Sequence, residues 1–152
     1  MFGSQLNLGE DRLTKLGRSA LLHDLGKSKI KSSILNKTDK LTNDEYEEMK
    51  KHSSYGCDIA KNIGIVDKEI LDGIRHHHEK LDGMGYPDNL KNDEINIFPR
   101  IIGVCDVFDA LTTKRSYKDA MSSFKALNLM KTEMSTHLDK NIVNAFIKML
   151  HK

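Results

Sequence analysis

Six side chains in the sequence have the chemical types and the spacing of metal ligands. They are His23, Asp24, His52, His77, His78 and Asp106. Imidazole and carboxylate groups together suit Fe, Mn or Zn, and a carboxylate can bridge two ions, which a neutral imidazole cannot do. A lone histidine on a helix is more often a satisfied polar residue than a ligand, so the hypothesis depends on all six donors acting together.

Asp106 is the most informative of these residues because its neighbours in the sequence are apolar. Val104, Cys105, Val107 and Phe108 surround it. A carboxylate that is buried without a partner destabilises a fold by several kcal/mol. The sequence therefore predicts that a metal ion or a strong ion pair compensates this charge.

The positions of apolar residues, capping residues and glycines predict an all-α fold of about six to seven helices that hold these donors. The predicted helices run from about Glu10 to Leu25, from Thr42 to about His52, from Gly56 to Gly64, from Asp67 to His78, from Pro99 through Leu111, from Ser122 to Met134 and from Asp139 to Leu150. Thr42 and Glu45 have the spacing of a capping box, and Asp67 can cap the helix that follows it. Residues 79–97 are rich in turn formers, and so long a loop within a compact domain is usually functional.

Length and composition favour one small domain. The 152 residues are 38% hydrophobic, so we expect a single domain over residues 1–152. The formal net charge is only +2, with the two signs interspersed, which gives no reason to expect DNA binding. The sequence has no apolar run of membrane-spanning length and no signal-peptide pattern, so we expect a cytoplasmic protein without membrane attachment. Cys57 and Cys105 lie far apart and are expected to be free thiols.

Five motifs, taken in order, resemble those of the HD-GYP family, and the resemblance covers nearly all of the chain from about Leu16 onward. The motifs are His23-Asp24-Leu25-Gly26-Lys27, Lys51-His52, His77-His78-Glu79, Asp82-Gly83-Met84-Gly85-Tyr86-Pro87 and Asp106-Val107-Phe108-Asp109-Ala110-Leu111-Thr112. The Gly-Tyr-Pro sequence after His-His-Glu is specific to this branch of the wider HD superfamily. The resemblance implies an HD-domain helical bundle.

The resemblance also implies a function. Members of this family are metal-dependent phosphodiesterases, and the expected substrate is the bacterial second messenger cyclic di-GMP, although a different cyclic dinucleotide stays open. Hydrolysis would give linear pGpG and then GMP. The implied cofactors are two or three divalent metal ions, with Fe or Mn as the first choice. The two ions would lower the pKa of a water molecule and stabilise the leaving oxygen.

Metal-binding roles follow from the resemblance for each of the six donors. Asp24 would bridge two ions, with His23 and Asp106 on the first ion. His52 and His77 would bind the second ion, and His78 would support a third. The neighbouring His76 has no such role and is expected to be exposed.

Catalytic and substrate-binding roles are implied for four further residues. Lys27 would act with Asp24 in catalysis by contacting a phosphate oxygen. Tyr86 would line the substrate pocket, and Arg115 and Lys118 would hold phosphates and bases. The loop Gly85-Tyr86-Pro87 is also expected to dock partner proteins such as diguanylate cyclase domains.

The main departure from the family lies upstream. Family members carry one or two earlier helices that supply a glutamate and a histidine to the metal site, and this sequence lacks the usual first helix or helices. A second copy of the chain, in a homodimer, or another protein would then cover the exposed core. Two alternatives therefore stay open beside the phosphodiesterase. One is a catalytically impaired module that acts in binding and regulation through the Gly-Tyr-Pro loop, and the other is a di-iron oxygenase.

Overall fold

The protein is helical throughout the part that the computed structural model describes, which is residues 6–114 and 119–150. The α-helices are α1 Glu10–Leu22, α2 Ser32–Leu35, α3 Asn43–Lys50, α4 His52–Asn62, α5 Lys68–His76, α6 Ile97–Thr112, α7 Ser123–Thr132 and α8 Lys140–Leu150. Short 3₁₀ helices span Leu25–Lys29 and Asn92–Glu94. Among these residues there is no β-strand, and seven α-helices have eight or more residues. The predicted all-α class is confirmed.

Side chains cap the helices where the sequence predicts it. The Thr42 hydroxyl accepts a hydrogen bond from the Glu45 amide at 3.3 Å, and the Glu45 carboxylate accepts one from the Thr42 amide at 2.7 Å. Asp67 accepts from the first amides of α5, Ser122 caps α7, and Asp139 caps α8. These bonds satisfy amides that have no partner inside the helix.

Several predicted helix ends are wrong, and the differences concern the site. Helix α1 ends at Leu22 rather than Leu25, because the chain tightens into the 3₁₀ helix Leu25–Lys29. The helix after Thr42 ends at Lys50, so His52 begins α4 instead of closing α3. Helix α5 ends at His76, and the two following histidines lie just beyond it.

Pro99 is also misplaced in the sequence prediction. Helix α6 begins at Ile97, so Pro99 is its third residue and not its first. The helix tolerates proline there because the amides of the first turn have no carbonyl partner within the helix. Pro99 is almost fully buried.

The apolar core has two parts, which meet along α5 and α6. The larger part joins α1, α6, α7 and α8 around residues such as Phe98, Val104 and Ile142. The smaller part lies between α4 and α5 and includes Ala60 and Ile74, neither of which is exposed. Helix α6 contacts α1, α5, α7 and α8 and is the central helix of the bundle. Within the described ranges, no helix is both long enough and apolar enough to span a membrane.

A glycine contact holds the first motif against α4. An added Cβ on Gly26 would lie 1.8 Å from the carbonyl oxygen of His52 and 2.4 Å from the amide nitrogen of Gly56. Only a residue without a side chain allows the two backbones to approach so closely. Gly26 therefore sets the distance between the segment after α1 and the start of α4, which both carry donors of the site.

Candidate metal centre

All six predicted ligands come together in one cluster. The Nε2 atom of His52 lies 3.5 Å from Oδ1 of Asp24 and 3.3 Å from Nε2 of His77. The Nε2 atom of His23 lies 3.4 Å from Oδ2 of Asp24. Two donors that each lie about 2.1 Å from one ion are separated by about 3 to 3.5 Å. The spacing of these atoms is therefore that of a coordination site.

Asp106 reaches the cluster from α6. Its Oδ1 atom lies 4.0 Å from Nε2 of His23, and its Oδ2 atom lies 3.8 Å from Nδ1 of His78. Its side chain is one quarter exposed, so it is less buried than its apolar neighbours suggest. Asp106 therefore faces the histidines, and compensation of its charge by a metal ion stays a prediction.

Backbone carbonyls fix the orientation of three histidine rings. The Nδ1 atoms of His23, His52 and His77 lie 2.7, 2.7 and 2.8 Å from the carbonyl oxygens of the residues three positions earlier. A carbonyl only accepts, so each Nδ1 must carry the proton, and each Nε2 offers a lone pair to the cluster. Metal-binding histidines in proteins are oriented in this way by hydrogen bonds from the other ring nitrogen.

The contact between His52 and His77 tests whether these residues fit a metal ion. Both Nε2 atoms are acceptors in this arrangement, and they face each other at 3.3 Å in a buried site. Two lone pairs at that distance repel unless a cation or a proton lies between them. The donor set therefore fits a divalent metal ion.

The donors fall into two groups that share one residue. His52, His77 and His78 form one group, and His23, Asp24 and His77 form the other, with the ligand atoms of each group within 4.8 Å of one another. His78 lies in the group with His52 and His77. Its implied role, support of a third ion, stays a prediction. The two groups together offer enough ligand atoms for two ions.

Burial favours the neutral form of three histidines of the cluster. Burial lowers the pKa of His52 and His77, and it lowers the pKa of His78 to about 3. Other histidines of the cluster add to the effect for His77 and His78, because one protonated ring disfavours the next. Neutral rings keep the lone pairs that a metal requires.

Asp24 is charged, and Lys27 is its partner. Burial raises the pKa of Asp24, but the hydrogen bond from Lys27 and the nearby histidines together hold it below its usual value. The Nζ atom of Lys27 lies 2.6 Å from Oδ2 of Asp24. The 3₁₀ helix Leu25–Lys29 brings the lysine back towards the carboxylate, one turn after Asp24.

Tyr86 covers one side of the histidine cluster. Its ring stacks on His78 with centroids 4.7 Å apart and an interplanar angle of 28°. Gly85 permits this, since an added Cβ would lie 2.4 Å from the Cα of Glu79. The peptide bond between Tyr86 and Pro87 is cis. Burial raises the pKa of Tyr86, so its phenol is neutral.

The residues that hold the Gly-Tyr-Pro loop are absent from the sequence prediction. Glu79 is buried, and its carboxylate accepts hydrogen bonds from the amides of Asp88 at 2.7 Å and Leu90 at 3.1 Å. Arg75 donates to both oxygens of Asp88, at 2.8 and 2.9 Å, and this hydrogen bonding lowers the Asp88 pKa to about 2. The sequence holds one signal for Glu79. It directly follows the candidate ligands His77 and His78, and a carboxylate that is buried beside them needs hydrogen-bond donors.

His76 is not exposed, and that expectation is wrong. Its side chain is 14% exposed, and its ring lies between the carboxylates of Asp72 and Asp88. The Nε2 atom lies 2.7 Å from Asp88, so His76 joins Arg75 in holding the loop. The predicted substrate contacts Arg115 and Lys118 lie outside the residues that the structure describes.

Comparisons with known proteins agree on one family. A family model described as HD domain matches residues 1–142. A cyclic di-GMP phosphodiesterase of Pseudomonas aeruginosa is 36% identical over 144 residues, which are 95% of this chain and 34% of that protein. A 3'3'-cGAMP-specific phosphodiesterase of Vibrio cholerae is 36% identical over 151 residues, which are 99% of this chain and 33% of that protein. The chain spans about a third of the length of the curated relatives it matches.

Solved structures share the fold. A Bdellovibrio bacteriovorus protein, described as an HDG"Y"P protein, superposes with a TM-score of 0.79 at 18% identity, over 99% of this chain and 48% of that one. A cyclic GMP-AMP phosphodiesterase of Vibrio cholerae superposes with a TM-score of 0.75 at 22% identity, over 99% of this chain and 41% of that one.

Proposed function

Because the chain belongs to the HD domain family, in its HD-GYP branch, we propose that it is a metal-dependent phosphodiesterase that hydrolyses cyclic di-GMP in the bacterial cytoplasm. Water adds across one P–O3′ bond, the 3′ oxygen leaves with a proton, and the linear product is pGpG. A second hydrolysis would give GMP. The facing Nε2 atoms of His52 and His77 are the observation that carries this proposal, since a metal ion bound to both would relieve the repulsion of their lone pairs.

The six clustered donors would hold the metal ions. His23, Asp24 and Asp106 would hold one ion, and His52 and His77 the other, with Asp24 within reach of both. His78 would support a third ion. Fe or Mn suits a mixture of imidazole and carboxylate ligands. When bound, divalent ions lower the pKa of a water molecule and polarise the phosphate.

Lys27 would bind a phosphate oxygen of the substrate. Its ammonium group has three donors, and the bond to Asp24 uses one of them. The other two can stabilise the negative charge that grows on the phosphate during the reaction. Tyr86 would line the same pocket, held against His78 by the Gly-Tyr-Pro loop. Arg115 and Lys118 would complete the substrate contacts.

A second candidate is a binding role for the Gly-Tyr-Pro loop. Glu79 and Arg75 hold this loop firmly, while the side chain of Met84 is 74% exposed. A rigid loop with an exposed apolar residue suits docking of another protein, and a diguanylate cyclase domain is our candidate partner. Leu21 and Phe124 are also largely exposed but lie on different helices, so a homodimer stays a prediction from the sequence.

Hydrolysis of cyclic di-GMP by protein loaded with Fe(II) or Mn(II) tests the proposal. We expect pGpG or GMP as the product on chromatography, with Asp24→Asn losing both metal and turnover. Lys27→Met should keep the metal content and lose turnover by about a hundredfold, as expected for a contact that strengthens in the transition state. Absence of hydrolysis in the metal-loaded wild-type protein would refute the phosphodiesterase and leave the docking role.

A further inference from the structure

Helix α3 presents an aromatic and cationic surface next to the metal centre. The Nζ atom of Lys50 lies 5.5 Å from the ring centroid of Tyr46 and 5.9 Å from that of Tyr86. Tyr86 in turn stacks on His78. We call Tyr46 and Lys50 the α3 face. Through Tyr86, this face adjoins the side of the histidine cluster where a substrate would bind.

Both residues of the α3 face are available to a ligand. Tyr46 is half exposed, and the side chain of Lys50 is 27% exposed. The ion pair of Lys50 within the described residues is a 2.7 Å contact with Glu47, whose side chain is 65% exposed. Exposed ion pairs of this kind contribute little stability, so a ligand can replace Glu47 at low cost. The attraction of the ammonium to two tyrosine rings holds Lys50 near the pocket.

The chemistry of this surface suits a nucleobase, and guanine better than adenine. An exposed tyrosine ring can stack on either purine. A lysine ammonium, however, only donates hydrogen bonds. Guanine offers two acceptors on one edge, O6 and N7, whereas adenine has N7 beside an amino group that donates. Lys50 therefore distinguishes the two bases.

We propose that Tyr46 and Lys50 form a nucleobase subsite that selects guanine over adenine in a cyclic dinucleotide. This inference rests on the proposed phosphodiesterase function and specifies its substrate. It concerns the recognition of guanine, which is a base of both cyclic di-GMP and 3'3'-cGAMP, the nucleotides for which relatives are named.

The test compares Lys50→Met with a matched control on the same helix end. Lys51 is the control because its Nζ atom pairs with Glu48 and it makes no contact with Tyr86 among those described. The measured quantity is kcat/KM for cyclic di-GMP divided by kcat/KM for cyclic di-AMP, using the metal-loaded full chain. We expect Lys50→Met to lower this ratio about tenfold and Lys51→Met to leave it unchanged. Lys50→Arg, which keeps the donors, should retain most of the preference.

Two substitutions of Tyr46 test the contribution of its aromatic ring to the proposed subsite. Tyr46→Leu should raise KM for both substrates with little change in kcat, and Tyr46→Phe should behave like the wild type because the ring is retained. Thermal unfolding of each variant checks that the fold is intact. An unchanged ratio in Lys50→Met, or an equal fall in Lys51→Met, would overturn the subsite.

Binding separates this inference from the proposed function. Dissociation constants of fluorescently labelled cyclic di-GMP and cyclic di-AMP can be measured without turnover. If the wild-type protein binds but does not hydrolyse, the phosphodiesterase proposal fails while the ratio of the two constants still tests the subsite. If it binds neither nucleotide, both proposals are overturned.

Discussion

Substitution of Gly26 by alanine should destabilise the protein and open the metal centre. The added methyl carbon would lie 1.8 Å from the carbonyl oxygen of His52, so the segment after α1 and the start of α4 must separate by more than 1 Å to reach a normal contact of about 3 Å. The obstacle is backbone on both sides, which cannot rotate away. We expect a loss of about 3 kcal/mol in the free energy of unfolding, at the upper end for overpacking.

Gly17 provides the matched control within the same region. It lies on the exposed side of α1, and an added Cβ there would meet nothing within 4 Å. Gly17→Ala should therefore stabilise the protein by about 1 kcal/mol through helix propensity alone. The two glycine-to-alanine substitutions are predicted to have opposite signs.

Urea and thermal unfolding of the metal-free proteins measure both effects. A domain of this size shifts its Tm by about 2 to 4 °C per kcal/mol, so Gly26→Ala should unfold about 6 to 12 °C lower than the wild type. Metal content should fall as well, because His52 moves away from Asp24. A Gly26→Ala variant that is as stable as Gly17→Ala and binds metal normally would refute the argument that this contact sets the site.

Two further predictions concern the stability of the protein at acid pH and the hydrogen exchange of the Gly-Tyr-Pro loop. Burial keeps the pKa values of His52, His77 and His78 in the folded protein below those in the unfolded chain. At pH values between these lower pKa values and about 6.5, the three histidines therefore bind protons when the chain unfolds. The free energy of unfolding of metal-free protein should fall with decreasing pH by up to about 1.4 kcal/mol per pH unit for each histidine, and denaturant titrations of His78→Gln should show a shallower dependence. Arg75→Lys keeps the charge but loses the two-pronged contact with Asp88, so hydrogen exchange of residues 84–90 should quicken while the global stability changes by about 1 kcal/mol or less. Unchanged exchange in that loop would show that the contact does not hold it.

The sequence predicts the fold class and the members of the site through local and chemical signals. Thr42 and Glu45 cap α3 as their spacing indicates, since a capping box needs only four consecutive residues. The six donors are found from residue type and order, and the structure brings them within a few ångströms of one another. Apolar periodicity also locates α6, the central helix.

Contacts between distant segments could not be predicted in this way. From the sequence, Gly26 is only the residue that follows the predicted end of the first helix at Leu25, whereas its main effect is the close approach to α4. The burial of Glu79 and His76 depends on the path of the loop that returns over α5, and no local pattern encodes that path. The ring orientations of His23, His52 and His77 depend on backbone carbonyls. The positions of these carbonyls depend on where each helix begins and ends, and the predicted helix ends differ from the observed ones.

Metal content by elemental analysis of anaerobically purified protein tests the central claim most directly. His77 belongs to both donor groups, and the adjacent His76 belongs to neither, so His77→Ala and His76→Ala form a matched pair. We expect about two divalent ions per chain in the wild type and in His76→Ala, and fewer than one in His77→Ala. A wild-type protein with fewer than one ion per chain, or a metal content that does not depend on His77, would contradict the account.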